Sequence, residues 1–125
     1  MNGFKNIEFH KWAEKHGISD ETLNEAIKDM NQGGYEANLG SNVYKKRISL
    51  GNKGKSGGVR TIIAFKVNDK AFFIYGFAKN KKENIDEKEL KALKRLAAIY
   101  LNLTEEEQSR TILRGELIKL EVNNG

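Results

Sequence analysis

Val43-Tyr44-Lys45-Lys46-Arg47-Ile48-Ser49-Leu50, then Gly51 to Gly58 (GNKGKSGG), then Val59 to Val67 (VRTIIAFKV): this stretch decides how the chain folds. Two runs rich in β-branched and aromatic residues flank a loop with four glycines. That pattern predicts an antiparallel strand pair. Asn68-Asp69 follows as a tight-hairpin signal, and Ala71 to Phe77 (AFFIYGF) reads as a third, buried strand. The short connections make a meander.

Side chains alternate along a strand, so each strand has two faces. On the first strand Tyr44, Lys46, Ile48 and Leu50 share one parity, and its apolar end runs into the core. Lys45 and Arg47 take the other face. On the second strand Val59, Thr61, Ile63, Phe65 and Val67 read as the core side, with Arg60 projecting opposite. Lys45, Arg47 and Arg60 are therefore expected on one open sheet face, as a cationic patch that a phosphodiester could bridge.

Upstream, the chain reads helical. Phe9, Trp12 and Ala13 fall at helical spacing, and Ser19 with Asp20 and Glu21 is a helix start. Leu23, Ala26, Ile27 and Met30 continue one apolar stripe that Gly33-Gly34 ends. The two helices are joined through His16-Gly17-Ile18. Downstream, Asp86 to Leu103 carries Leu90, Leu93, Leu96, Ala97 and Tyr100 on one stripe. Thr104-Glu105-Glu106-Glu107 is a capping box for a shorter helix, and Glu116 to Leu120 could form an edge strand. The expected class is α+β: a small twisted antiparallel β-sheet with an N-terminal helix pair and C-terminal helices. The helices are expected on one face of the sheet, in a single domain spanning residues 1–125.

Charge is distributed unevenly. Residues 37 to 82 hold eleven Lys or Arg and one acid, Asp69, whereas the remainder holds eleven basic and sixteen acidic residues. The formal net charge of +5 is thus strongly positive in the middle and negative outside it. Such segregation costs self-repulsion unless a polyanion uses it, which points to nucleic acid. The absence of cysteine excludes disulfides, thiol catalysis and cysteine-ligated metal, and fits a reducing cytoplasm. No apolar run is long enough for a membrane span, and Met-Asn-Gly-Phe4-Lys5-Asn6 lacks a signal-peptide hydrophobic core.

Other chemistries fit poorly. The glycine-rich loop is not a phosphate-binding P-loop. Ser49 stands where a Walker A glycine is required before Gly54-Lys55-Ser56, and a strand follows instead of a helix. Lys53 and Lys55 more simply suggest a basic lip or a plain hairpin loop. Lys79-Asn80-Lys81-Lys82-Glu83 adds charge at a strand end. His10 and His16 both lie in the first helical segment, away from the basic middle. With no paired carboxylates or nucleophile motif, any cleavage would rely on cationic stabilisation of charge.

At Gly54-Lys55-Ser56-Gly57-Gly58-Val59-Arg60-Thr61 the chain resembles the RelE/ParE superfamily of toxin–antitoxin toxins, in its RelE-like branch. Val43 to Arg47 upstream, and Phe72 to Lys79 with Asn84-Ile85-Asp86 downstream, carry the same resemblance, from about Phe9 to Leu120. It implies an mRNA endoribonuclease, or mRNA interferase, that acts on translating ribosomes and uses the 2′-hydroxyl of RNA as nucleophile. Carried over, Lys45, Arg47 and Arg60 are the catalytic cations, joined by Lys79 or Lys81 after the last main strand. Lys46, Lys53, Lys55 and Lys82 are assigned to the RNA backbone. The helix beyond that turn offers no matching tyrosine; Tyr100 lies too far along and reads as core. The resemblance implies no cofactor and no metal. The implied partners are mRNA, the ribosome and a cognate antitoxin with a helix-turn-helix DNA-binding domain. A non-nucleolytic basic toxin or nucleic-acid-binding module, including a ParE-like gyrase inhibitor, remains the alternative.

Overall fold

The computed structural model describes residues 2–50, 58–78 and 84–122. In chain order they form β1 (Asn2–Asn6), α1 (Ile7–Lys15), α2 (Asp20–Asn31), β2 (Ala37–Gly40) and β3 (Val43–Ile48). Then follow β4 (Val59–Lys66), β5 (Lys70–Ala78), α3 (Glu87–Leu101), α4 (Glu105–Leu113) and β6 (Leu117–Lys119). The six strands make one sheet in the order β2-β3-β4-β5-β1-β6. This is the expected α+β class.

The meander β3-β4-β5 is antiparallel and lies where the sequence predicts it, with Asn68 at φ 56° in the tight turn. Two strands are additional. β1 pairs parallel with β5, so the sheet is mixed, and β2 extends it beyond β3. β6 is the expected edge strand, beside β1.

Helix ends follow the capping signals. Asn6 caps α1 by accepting from the Phe9 N–H at 2.8 Å, and Ser19 caps α2 by accepting from Thr22. Capping boxes at Asp86/Glu89 and Thr104/Glu107 open α3 and α4.

The helices do not share one face. α1 and α2 cover the side formed by Ile48, Val59, Ile63, Phe65, Ala71 and Phe73. α3 covers the other side, over Val43, Ile62, Ala64, Phe72 and Ile74. The reason is visible in β4, which is apolar on both faces: Ile62 and Ala64 are as fully buried as Ile63 and Phe65. A strand this apolar needs cover on both sides. Each large apolar side chain so buried contributes roughly 1.5–3 kcal/mol. The face carrying Lys45, Arg47 and Arg60 is therefore open only towards one end.

On the α1 side, Trp12 packs flat against Gly76. A Cβ there would fall 2.3 Å from the indole Cζ3, so only glycine admits the ring. Lys5 is also buried on this side, with its Nζ 2.6 Å from Asp20 Oδ1. Burial pushes the Asp20 carboxyl up. The Glu121 backbone N–H and the Lys5 ammonium, helped by the nearby His10, outweigh it and leave the carboxyl below its ordinary value.

β5 carries one residue more than its partner. Ile62 pairs with Tyr75 but Ile63 pairs with Phe73, leaving Ile74 as a bulge. Asn6 Nδ2 donates to the Ile74 carbonyl at 3.2 Å, so one side chain both caps α1 and holds the bulge.

Candidate active site on the cationic sheet face

The strand register brings the three expected cations together. Arg47 lies directly opposite Arg60, and Lys45 lies opposite Ile62. Continuing across β5, Arg60 pairs with Phe77 and Ile62 with Tyr75. Two cross-strand rows result, Lys45–Ile62–Tyr75 and Arg47–Arg60–Phe77. α3 covers the next row, Val43–Ala64–Phe72, so the cations begin where its apolar contacts thin out.

The electrostatics are unusual for a sheet. Like charges directly opposite in a ladder are destabilising. Arg60 is moreover almost wholly buried, at 7% exposure. Its charge is offset by Glu36, which stands just before β2. Arg60 Nε lies 2.8 Å from Glu36 Oε1 and 3.2 Å from Oε2. Lys45 Nζ lies 3.9 Å from the same Oε1. The Glu36 backbone N–H donates to the Lys45 carbonyl at 2.8 Å, which fixes the residue beside the cations. Arg47 is exposed, and its guanidinium lies against Gly58, where an added Cβ would come within 3.0 Å of Nε. Among the described residues, Lys45, Arg60 and Glu36 thus form one ion-paired group, with Arg47 opposite Arg60 on the same face.

Lys46 is not part of that cluster. Alternation turns it to the α2 side, where its Nζ meets Asp29 Oδ2 at 3.1 Å and the Gly34 carbonyl at 2.6 Å. Lys53, Lys55, Lys79, Lys81 and Lys82 lie outside the described residues.

The histidines are remote from the cations. α1 packs on the opposite face of the sheet, where His10 Nε2 meets Glu14 Oε1 at 2.6 Å and the His16 ring lies tilted against Trp12. Tyr100 is stacked on Phe72 at a centroid distance of 5.4 Å. Burial raises its phenol above the ordinary value, the Asn6 side chain pulls it down, and the Glu116 carboxylate raises it further. It is a core residue.

Sequence reasoning missed two residues here. Tyr75 stands on the cationic face because the Ile74 bulge shifts its parity, and its hydroxyl is 3.4 Å from Glu89 Oε2. Glu36 was overlooked because it sits one residue before the acid-poor window begins. An acid at the very border of such a window was the available signal.

The site defines a small α+β domain that presents cations from neighbouring strands on one partly covered sheet face. A family model for the RelE toxin of the RelE / RelB toxin–antitoxin system matches residues 1–120, and the chain belongs to that family. It is therefore a toxin of a toxin–antitoxin system, with a cognate antitoxin as partner. A comparison with curated proteins found no match. Among the described residues, no helix is long and apolar enough to cross a membrane.

Proposed function

We propose that this toxin is an mRNA endoribonuclease that acts on translating ribosomes in the cytoplasm and so inhibits translation. The observation that carries the reading is the cross-strand Arg47–Arg60 pair with Lys45 on the same face. Two guanidiniums set opposite each other, with an ammonium beside them, match the oxygens of a phosphate in kind and spacing. In the proposed reaction the 2′-hydroxyl attacks the adjacent phosphate. Lys45, Arg47 and Arg60 stabilise the charge that develops on its oxygens, with Lys79 or Lys81 as a further cation. Lys53, Lys55 and Lys82 hold the RNA backbone. The antitoxin would carry a helix-turn-helix DNA-binding domain.

Primer-extension mapping of mRNA after induction tests the reading. Discrete new 5′ ends within translated frames are expected, together with arrest of translation. Intact mRNA with accumulating DNA breaks would favour a gyrase target instead. Purified protein should bind single-stranded RNA with a log–log salt slope near −3, for about four phosphates engaged.

A further inference from the structure

Glu36 is an odd residue to find among cations meant for a phosphate. Its carboxylate cancels part of their charge and repels an incoming phosphodiester. Yet its backbone N–H bond to Lys45 and its contacts to Arg60 and Lys45 keep it there. Its side chain is 34% exposed, while that of Arg60 is 9% exposed, so the carboxylate is the part of the pair a ligand can reach. Oε1 lies 2.8 Å from Arg60 Nε, and Oε2 accepts the Nε–H hydrogen bond at 3.2 Å. Glu89, which reaches Tyr75 on this face, is committed elsewhere: it accepts from the Asp86 N–H in the capping box of α3 and from Tyr75.

Transfer of a phosphate to a neighbouring hydroxyl needs both kinds of group. Cations must meet the phosphate oxygens, and a proton acceptor must stand within about 3 Å of the hydroxyl. In RNA the 2′-hydroxyl is on the same ribose as the 3′ oxygen of the scissile phosphate. A phosphate seated on Lys45 and Arg47 would bring that hydroxyl next to the carboxylate that Lys45 and Arg60 share.

We propose that Glu36 is the general base of this toxin, an inference that rests on the ribonuclease reading above. Glu36 takes the proton of the 2′-hydroxyl as the O2′–P bond forms. The P–O5′ bond breaks, its electron pair leaves on the 5′ oxygen, and that oxygen takes a proton from solvent. The products are a 2′,3′-cyclic phosphate and a 5′-hydroxyl, and Glu36 returns its proton to water.

The test separates proton transfer from positioning. Glu36→Gln keeps a carbonyl oxygen for Arg60 Nε but cannot take a proton. Cleavage of translated mRNA by Glu36→Gln and by Glu36→Ala should each be at least about a hundredfold slower than by the parent. Binding of a short 2′-O-methyl RNA should be unchanged or tighter, and cleavage is compared well below the thermal midpoint of Glu36→Gln, which loses the ion pair to buried Arg60. Cleavage by Glu36→Gln within a few-fold of the parent would overturn the proposal and make Glu36 a counter-ion or positioning group. If the parent itself leaves translated mRNA intact, the ribonuclease reading fails and the base assignment falls with it.

Discussion

The two faces of the sheet are built on different terms. The face under α1 and α2 is filled from end to end: Phe9, Ile63, Phe65 and Phe73 are all buried, and Trp12 closes against Gly76. The face under α3 begins the same way, with Val43, Ala64 and Phe72, then gives way to Lys45, Arg47 and Arg60. One face is packed with apolar side chains, whereas the other sets its cations among residues that are still buried, Ile62 and Phe77. The lesson is sharpest at two adjacent lysines. Lys46 is tied to Asp29 and a carbonyl on the first face, and Lys45 joins the cluster on the second. Neighbours of the same chemistry are separated by the pleat into a structural role and a functional one.

The comparison can be broken most severely at Gly76. A methyl group there overlaps the Trp12 ring, so Gly76→Ala should destabilise by about 3 kcal/mol, the upper end of ordinary overpacking. Chemical denaturation measures this, and an unchanged midpoint would show that the ring moves freely. On the other face, Arg60→Ala should slow cleavage about a hundredfold, or about 3 kcal/mol, while weakening RNA binding by less. Equal losses in binding and rate would make Arg60 a binding contact only.

Acid should act on the first face. The Asp20 carboxyl is held below its ordinary value in the folded chain, so its contribution to stability is complete above the unfolded carboxylate range. That contribution is lost as pH falls through the folded value. Asp20→Asn should therefore be less stable than the parent at neutral pH, with the difference shrinking below about pH 4. Denaturation curves at several pH values check it.

Smaller effects sharpen the contrast between Lys45 and Lys46. Lys46→Ala should cost stability, about 1 kcal/mol for an ion pair whose carboxylate is exposed, and leave cleavage nearly intact. Lys45→Ala should lower cleavage with little effect on unfolding. The smallest effect is expected at the histidines. His10→Gln with His16→Gln should keep cleavage within a few-fold of the parent, because α1 is on the wrong side of the sheet to reach the cations.

Much of this was legible in the residues. The meander showed in the alternation of Val43 to Phe77, and the helices in their stripes and caps, because those signals are local. β1 and β2 were not legible. Asn-Gly-Phe-Lys-Asn and Ala-Asn-Leu-Gly have little strand propensity, and each forms only because a longer strand offers it an edge. The cationic trio followed from parity alone. Cover by α3 did not, since nothing in Ile62 or Ala64 says which helix will pack on them. Glu36 and Tyr75 reach the site through long-range register, which single-sequence periodicity does not encode.

The extra residue Ile74 changes what β5 can tolerate. A strand normally has a single phase, and a change in one half constrains the other. Here the phase resets midway: Phe72 and Tyr75, three apart, face the same side, and so do Phe73 and Gly76. The half beside β1 can be tuned for packing while the half beside the cations is tuned for a ligand. Drawing Ile74 into the ladder would swing Tyr75 and Phe77 into the space of Trp12 and turn Gly76 towards the arginines, whereas deleting it would keep both halves facing as they do. The strand thus works as two short rulers joined end to end, each with its own zero.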